Sequence, residues 1–500
     1  TQALLARTEA VCAETETSVY IVGGSIRDAL LGLPIPELDV TVIGDALALG
    51  KAIAARARGT FVPLDVEHGV GRVVITGDDG NQSHLDLARM EDGSLQADLR
   101  RRDFTVNALA LPLEAAHHPD WPDHIVDPLG GVHDLRHGIL RLASPTAFAD
   151  DPARLLRAVR IAAQRALALD PSLKSSAIAS CALVDQVAPD RLRDEFMLIL
   201  ETPDPTEALH LMDSLGLLMC LFPEMEPMRG CQQPAEHHWD VLEHTLQAVG
   251  ACQKLLARTG LPDEVLQAVP WDEKLQRRFA ETFAHGFNRQ AYVKLACLLH
   301  DIGKPATKTT EPSGRIRFLG HPDTGAAMAE SIMVRLRFSG KAIKHVSLMV
   351  EEHLRPTQIA PPRSHNAPAE PRLPSRRAIW RYYRDLEDAA IDTLYLSLAD
   401  HLAARGPEFE FPRWQRHATI CSSILGSDTH QGEVRKPRLI TGRDLIEQFR
   451  LKPGPRVGWL LEAIEEAAGA GEIATREEAV ALASRLLGSV NRSSPHARNN

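Results

Sequence analysis

Residues 19–45 read VYIVGGSIRDALLGLPIPELDVTVIGD, and the rest of the chain is organised around this stretch. Four β-favouring residues, Val19 to Val22, run into Gly23-Gly24, and a helix-like segment opens at Ser25. A strand that ends in a glycine pair and feeds a helix N-terminus presents bare backbone N–H groups, a seat for an anion. Arg27 adds a guanidinium one turn into that helix. After the proline-marked loop from Leu33 to Pro36, a second apolar strand carries Glu37 and Asp39. Being two apart, the two carboxylates share one face of an extended strand. Same-face carboxylates beside a phosphate seat suit a divalent metal and a nucleoside triphosphate.

The glycine pair alone would be an ordinary turn, and the carboxylates alone a solvated strand face. Their combination is more specific. Gly23-Gly24-Ser25-Ile26-Arg27-Asp28, Leu30-Leu31-Gly32 and Glu37-Leu38-Asp39 resemble the signature GG-x-V-R-D, LLG, D-x-D of the tRNA CCA-adding and poly(A) polymerase family, in its bacterial class II form. One position departs. In register with Gly44-Asp45, Glu37 stands where the family has its first metal aspartate. Glutamate keeps the charge and adds a methylene, which shifts the geometry of any bound metal, so Asp39 carries more of the assignment than Glu37.

The chain's 500 residues exceed what one core usually supports, and several domains are expected. An apolar fraction of 44% and a charged fraction of 24% are ordinary for a soluble globular protein. No apolar run is long enough to span a bilayer and no cationic, apolar leader precedes Val19, so a cytoplasmic protein without membrane association is expected. Seven scattered cysteines without a C-x-x-C pair read as reduced thiols. A net charge of −10 excludes a generally basic coat but leaves room for a local basic groove. Nothing in the composition sets an oligomeric state.

Residues 1–145 alternate strand-like and helix-like segments. A helical run follows Asp45, with strands near Thr60 to Pro63, Arg72 to Thr76 and His84 to Leu87, and a loop at Gly77 to Gln82. Asp86 reads either as a third carboxylate or as a turn or surface aspartate. The string from Leu99 to Ala108 matches the family's RRDFTINA motif closely. The resemblance implies that Arg102, Asp103 and Asn107 lie at the nucleotide, touching sugar and phosphate. Val126 to Gly131, with Asp134-Leu135, resembles the hinge that follows in the family.

Residues 146–215 read as helical. Asp151 is placed to cap a helix whose first residue is Pro152. Arg154, Arg157 and Arg160 recur on one side, with Leu155, Leu156, Val159 and Ala163 on the other. Asp151 and Arg154 are i and i+3, neighbours in the first turn. A carboxylate only accepts and a guanidinium only donates. Such a pair matches the pairing edges of cytosine and adenine, each an amino donor beside a ring-nitrogen acceptor, and mismatches uracil and guanine. The alternative is a plain intrahelical ion pair. Asp150-Asp151-Pro152-Ala153-Arg154 resembles the family's E-D-x-x-R motif, with Asp for Glu at its first position, and the resemblance implies selection of CTP and ATP. It also places Arg157 and Arg160 near the nucleotide. Arg191 and Glu195 resemble the family's R-x-x-x-E element or form an i,i+4 surface pair.

A second constellation follows in residues 216–410. Leu-Leu-His300-Asp301-Ile-Gly-Lys304 closes an apolar helix that Gly303 and Pro305 terminate. It resembles the signature of HD-domain metal phosphohydrolases, whose partners follow in order as His244, His321, His353 and Asp400. The expected ligands are His244, His300, Asp301 and Asp400, with His321 and His353 as further candidates. Imidazoles with carboxylates suit nickel, manganese, cobalt or iron, or else magnesium, any of which acidifies a bound water. His237, His238 and His345 read as bystanders. Residues 257–290 and 361–374 read as insertions or linkers. Arg376, Arg377, Arg381 and Arg384, interleaved with Trp380, Tyr382 and Tyr383, suit RNA or a helix with one buried and one solvated face. Residues 411–488 read as helical and resemble the family's C-terminal tRNA-gripping module, with a capping box at Thr475 and Glu478. Residues 489–500 read as a disordered tail.

The expected fold is α+β and multidomain: a small mixed-sheet nucleotidyltransferase head followed by mostly helical domains, one of them an HD domain. The resemblance implies CMP and AMP addition from CTP and ATP to the tRNA 3′ end, with Mg2+ at Glu37 and Asp39. CC-only, A-only and poly(A) addition remain open within the family. The different-class alternative is an HD phosphohydrolase whose head has become an RNA-binding module.

Overall fold

Backbone geometry at the quoted stretch follows from its side chains. Val19–Val22 forms β1, Gly23 adopts the left-handed φ of 71°, and the Gly24–Leu30 helix begins there. β2, Glu37–Val42, alternates: Leu38, Val40 and Val42 enter the core while Glu37 and Asp39 take the opposite face. The computed structural model describes residues 2–35, 37–76, 82–90, 94–361, 372–426 and 439–492. Most of the expected loop at 77–82, most of the stretch 361–374 and the end of the tail lie outside the described residues.

β3 (Thr60–Asp65), β4 (Val70–Thr76), β5 (Gln82–Arg89) and β6 (Ala110–Pro112) complete a six-stranded sheet in the order β3-β4-β5-β2-β1-β6. Its ladders are antiparallel except β2–β5, which is parallel and sets Glu37 beside His84 and Asp39 beside Asp86. The crossover between them includes the Ala46–Ala57 helix, capped by the Asp45 carboxylate, which accepts the Ala48 N–H. Leu49 and Ile53 of that helix join Leu85 and Leu87 in the core under the sheet. Leu4 and Val11, from a Gln2–Thr15 helix not anticipated from the sequence, belong to the same core.

The chain divides into two compact units, residues 1–203 with 207–221, and residues 204–206 with 222–500. In the first, the Arg154–Arg165 and Pro189–Leu200 helices bury Leu155, Leu156, Val159, Phe196 and Ile199. The expected helix start at Pro152 is corrected. Ala147–Asp150 makes a separate turn, Asp151 is extended (φ −149°, ψ 97°), and the long helix begins at Arg154.

In the second unit, the Val241–Ala257, His321–Arg335 and Ala390–Ala403 helices carry His244, His321 and Asp400, and the Arg289–Leu299 and Gly340–Glu351 helices lead into His300 and His353 just past their ends. Residues 257–290 are integral rather than a linker. Two short helices and a hairpin fill them, Trp271 stacks on Phe279 at 5.8 Å, and Tyr395 donates to the Pro270 carbonyl. Buried Asp392 accepts from Arg278 (3.1 Å), Arg289 (2.9 Å) and His345 (2.7 Å), which ties that segment to the bundle.

The C-terminal helices Gly442–Phe449, Pro455–Gly469 and Arg476–Arg492 enclose their own core around Leu445, Leu460 and Ile464. The expected capping box forms, with Glu478 N–H donating to the Thr475 hydroxyl at 3.2 Å. The arginine face of the Arg376–Leu386 helix is turned to acids: Arg377 to Glu472 (2.7 Å), Arg381 to Glu466 (3.6 Å) and Arg384 to Glu462 (3.3 Å). Tyr382 and Tyr383 are buried. Among the described residues no helix is long and apolar enough to cross a membrane.

Candidate active site

In the head, the Ser25 hydroxyl donates to the Glu37 carbonyl (3.2 Å) and accepts the Asp39 N–H (3.1 Å), which pins the glycine turn to the acidic strand. A Cβ at Gly23 would stand 3.8 Å from Asp39 Oδ2 and 3.0 Å from Arg102 Nη1, so the turn, the carboxylate and the guanidinium are packed together. Burial, then the neighbouring Asp86, push the Asp39 carboxyl up to about 6, against the opposing pull of Arg102. Glu37 is exposed, its carboxylate 3.4 Å from His84 Nδ1 and 3.9 Å from Arg72 Nη2. Asp86 is neither in a turn nor free: Arg72 grips it with two bonds of 2.7 Å. Glu37, Asp39 and Asp86 thus share one face without converging on a single point. A magnesium ion takes one or two protein carboxylates and completes its shell with phosphate oxygens and water, and an open acidic face fits that demand.

Arg27 lies against Gly24 and is half enclosed by acceptors: Nε and Nη2 donate to Asp28 (2.8 and 3.0 Å) and Nη1 to Asn107 (2.6 Å). Asn107 donates to Asp103 (3.0 Å), which faces Arg157 at 3.5 Å. Arg157 and Arg160 both converge on Glu195, at 3.1 and 2.7 Å. Glu195 is therefore no partner of Arg191, and the surface-pair alternative is excluded.

The Asp151–Arg154 ion pair also does not form. Asp151 accepts from Arg191 (2.9 Å) and from the Ala153 N–H (3.2 Å). Arg154 donates to the carbonyls of Ala147 (3.2 Å) and Arg101 (3.0 Å). An extended residue 151 points its side chain off the helix, out of i,i+3 register with Arg154. Burial raises the Asp151 pKa, but the Arg191 guanidinium outweighs it and holds the carboxyl below its ordinary value. Ser25, Arg72, His84 and Arg165 went unrecognised in the sequence. His84 and Asp86 had a signal, an alternation matching that of Glu37 and Asp39, but only strand pairing joins the two.

In the second unit, four imidazoles and two carboxylates converge. His244 Nε2 lies 3.0 Å from Asp400 and 3.5 Å from Asp301 Oδ2; His300 Nε2 lies 3.2 Å from the same Oδ2 and 3.6 Å from Asp400. Asp301 Oδ1 instead faces His321 at 3.4 Å and His353 at 3.9 Å. One carboxylate thus serves two buried trios, His244–His300–Asp301 and Asp301–His321–His353. Nδ1 of His300, His321 and His353 meets a backbone carbonyl at 2.7, 2.7 and 2.6 Å. Those contacts fix the tautomer and turn Nε2 inward, as metal-ligating histidines require. His300 Nε2 and both Asp301 oxygens are buried without a hydrogen bond of good geometry, a donor set that fits a divalent transition metal. Burial pushes His300 down, yet Asp301 and Asp400 overcome it and raise it to about 10, while burial and His300 hold His353 near 3. Lys304 sits 2.6 Å from Asp301. His345 faces Asp392, outside the cluster, and His237 packs edge-on against His244.

The sequence matches the Poly A polymerase head domain family over residues 19–141 and the HD domain family over residues 241–405. Residues 167–229 match the probable RNA and SrmB-binding site of polymerase A. An A-adding tRNA nucleotidyltransferase of Deinococcus radiodurans is 32% identical over 478 residues, covering 93% of this chain and 94% of that protein. A CC-adding tRNA nucleotidyltransferase of Thermus thermophilus is 31% identical, covering 94% and 93%. The Thermotoga maritima CCA-adding enzyme complexed with tRNA shares the fold, at a TM-score of 0.56 and 19% identity over 98% of this chain and 95% of that one. The chain belongs to the tRNA nucleotidyltransferase family, with a Poly A polymerase head and an HD domain.

Proposed function

We propose that the protein transfers CMP or AMP from CTP or ATP to the 3′ end of tRNA without a nucleic-acid template. The observation that carries this reading is the Asp39 carboxylate beside the Gly23 turn, with Asp86 in register next to it. Asp39 and Glu37 would hold Mg2+, which supplies charge neutralisation and acidifies the primer hydroxyl. The backbone N–H groups of the turn and Arg27 seat the triphosphate. The 3′-oxygen attacks the α-phosphorus as the bond to the pyrophosphate oxygen breaks. Asp151, steadied by Arg191, retains lone pairs to accept an amino hydrogen from cytosine or adenine, and Arg154 donates to the ring nitrogen beside it. Relatives named for A addition and for CC addition are equally similar, so the test offers both steps. Labelled tRNA transcripts ending before CCA, after CC, or complete are incubated with CTP, ATP or both. Incorporation lost in Asp39→Ala with tRNA binding retained supports the reading; incorporation by that variant refutes it.

A second, hydrolytic activity rests on the paired trios around Asp301. A divalent transition metal there would supply an activated water for attack on a phosphate ester. Metal-dependent release of phosphate from p-nitrophenyl phosphate, or of p-nitrophenol from bis(p-nitrophenyl) phosphate, abolished in Asp301→Asn, tests it.

A further inference from the structure

The Arg154–Arg165 helix is fastened to the head along one face. Arg154 donates to the Arg101 carbonyl (3.0 Å), Arg157 faces Asp103 (3.5 Å), and Arg165 grips Asp28 with two bonds of 2.8 Å. Arg154 and Arg165 are eleven residues apart, about three helical turns, and so share a face roughly 16 Å long. The near end carries Arg154, next to Asp151. The far end meets the phosphate turn through Asp28.

Asp28 is engaged twice over. Arg27 occupies both its oxygens from one side at 2.8 and 3.0 Å, and Arg165 both from the other. All three side chains are largely buried, with relative exposures of 9%, 12% and 21% for Arg27, Asp28 and Arg165. A carboxylate bonded bidentately to two guanidiniums leaves neither free to rotate. Arg27 in turn lies against Gly24 and donates to Asn107. Removing Arg165 leaves Asp28 with one partner and lets the Arg27–Asp28 pair pivot beneath the turn.

We propose that Arg165 is a positioning residue that couples phosphate seating to base selection, holding Arg27 through Asp28 while anchoring the helix whose other end reads the base. The proposal rests on the nucleotidyltransferase reading above. Its substitution effects should follow geometry rather than charge, because a lysine cannot reproduce the two parallel bonds. A displacement of about 1 Å from a remote substitution costs on the order of 100-fold in rate.

The experiment compares wild type, Arg165→Gln, Arg165→Lys, Asp28→Asn and Asp28→Asn/Arg165→Gln. For each, single-turnover incorporation onto a tRNA transcript is measured with CTP, ATP, UTP and GTP, beside the melting temperature. Transfer by the wild type establishes the underlying reading; its absence removes that reading before Arg165 is at issue. Given transfer, Arg165→Gln should slow the correct nucleotides by about 10- to 100-fold. It should slow UTP and GTP far less, so that discrimination narrows. Arg165→Lys should recover the melting temperature without the discrimination, and the double variant should be no worse than Asp28→Asn. Additive losses, an equal slowing with all four nucleotides, or unchanged discrimination in Arg165→Gln would each overturn the proposal.

Discussion

Asp39 is the residue on which the proposed polymerisation rests. Its carboxyl is raised to about 6, by burial first and Asp86 second, and the pH consequences follow in sign. A raised carboxyl keeps its proton in the folded head where the unfolded chain has lost it. Ionisation therefore withdraws stability from the metal-free protein as pH climbs from about 4 to 6. Magnesium binds the ionised form, so its affinity should increase over the same interval and level off above it. Calorimetry in buffers of different ionisation enthalpy should detect proton release on magnesium binding at pH 5.5 and almost none at 7.5. Asp39→Asn should abolish both the binding and the pH dependence. A pH-independent affinity across this range would place the metal elsewhere. Asp151 invites a second test at this scale. Asp151→Ala removes one half of the proposed two-point contact, worth about 1–3 kcal/mol between right and wrong bases, and should narrow CTP and ATP preference over UTP by about 10- to 100-fold. Unchanged preference, measured by competition in one reaction, removes Asp151 from base selection.

At the scale of elements, legibility tracked the range of the interaction. Glu37 and Asp39 were readable because a strand alternates, and the His300-Asp301 helix end because Gly303 and Pro305 stop it. Asp86 was undecidable, since its place beside Asp39 depends on a parallel ladder between strands 47 residues apart, and no local rule sets that register. The Asp151-Pro152 reading held only in part: the Asp151 carboxylate accepts the Ala153 N–H at 3.2 Å as a cap would, but Arg191, from another helix, shares it and the regular helix begins at Arg154. Arg377, Arg381 and Arg384 read equally as an RNA-facing stripe or as the solvated face of a half-buried helix, and the structure sets Glu472, Glu466 and Glu462 of the C-terminal helical module against them. These exposed pairs are each worth at most about 1 kcal/mol and are screened by salt. Charge reversal at Glu462, whose side chain is 63% exposed, should therefore lower thermal stability only slightly, and less at high salt. A large, salt-independent loss would show that packing, not charge, makes that contact.

Across the whole chain, the two proposed metal sites lie in separate compact units, the acidic strand in the first and the histidine cluster in the second. Their ligand sets share no residue, so substitutions should separate them. His300→Ala should abolish metal-dependent phosphate release while leaving nucleotide incorporation within about twofold, the spread expected for independent sites. Loss of both activities, with the melting temperature preserved, would mean that one site serves both. The most direct test of the central claim is the single-turnover rate of nucleotide incorporation at saturating tRNA and magnesium for Asp39→Asn against wild type. Loss of one electrostatic stabiliser at the reacting phosphate slows chemistry on the order of 100- to 1,000-fold. A fall at least that large, with tRNA affinity unchanged, is the predicted result. A rate within tenfold of wild type would contradict a magnesium ion held by Asp39 beside the Gly23 turn.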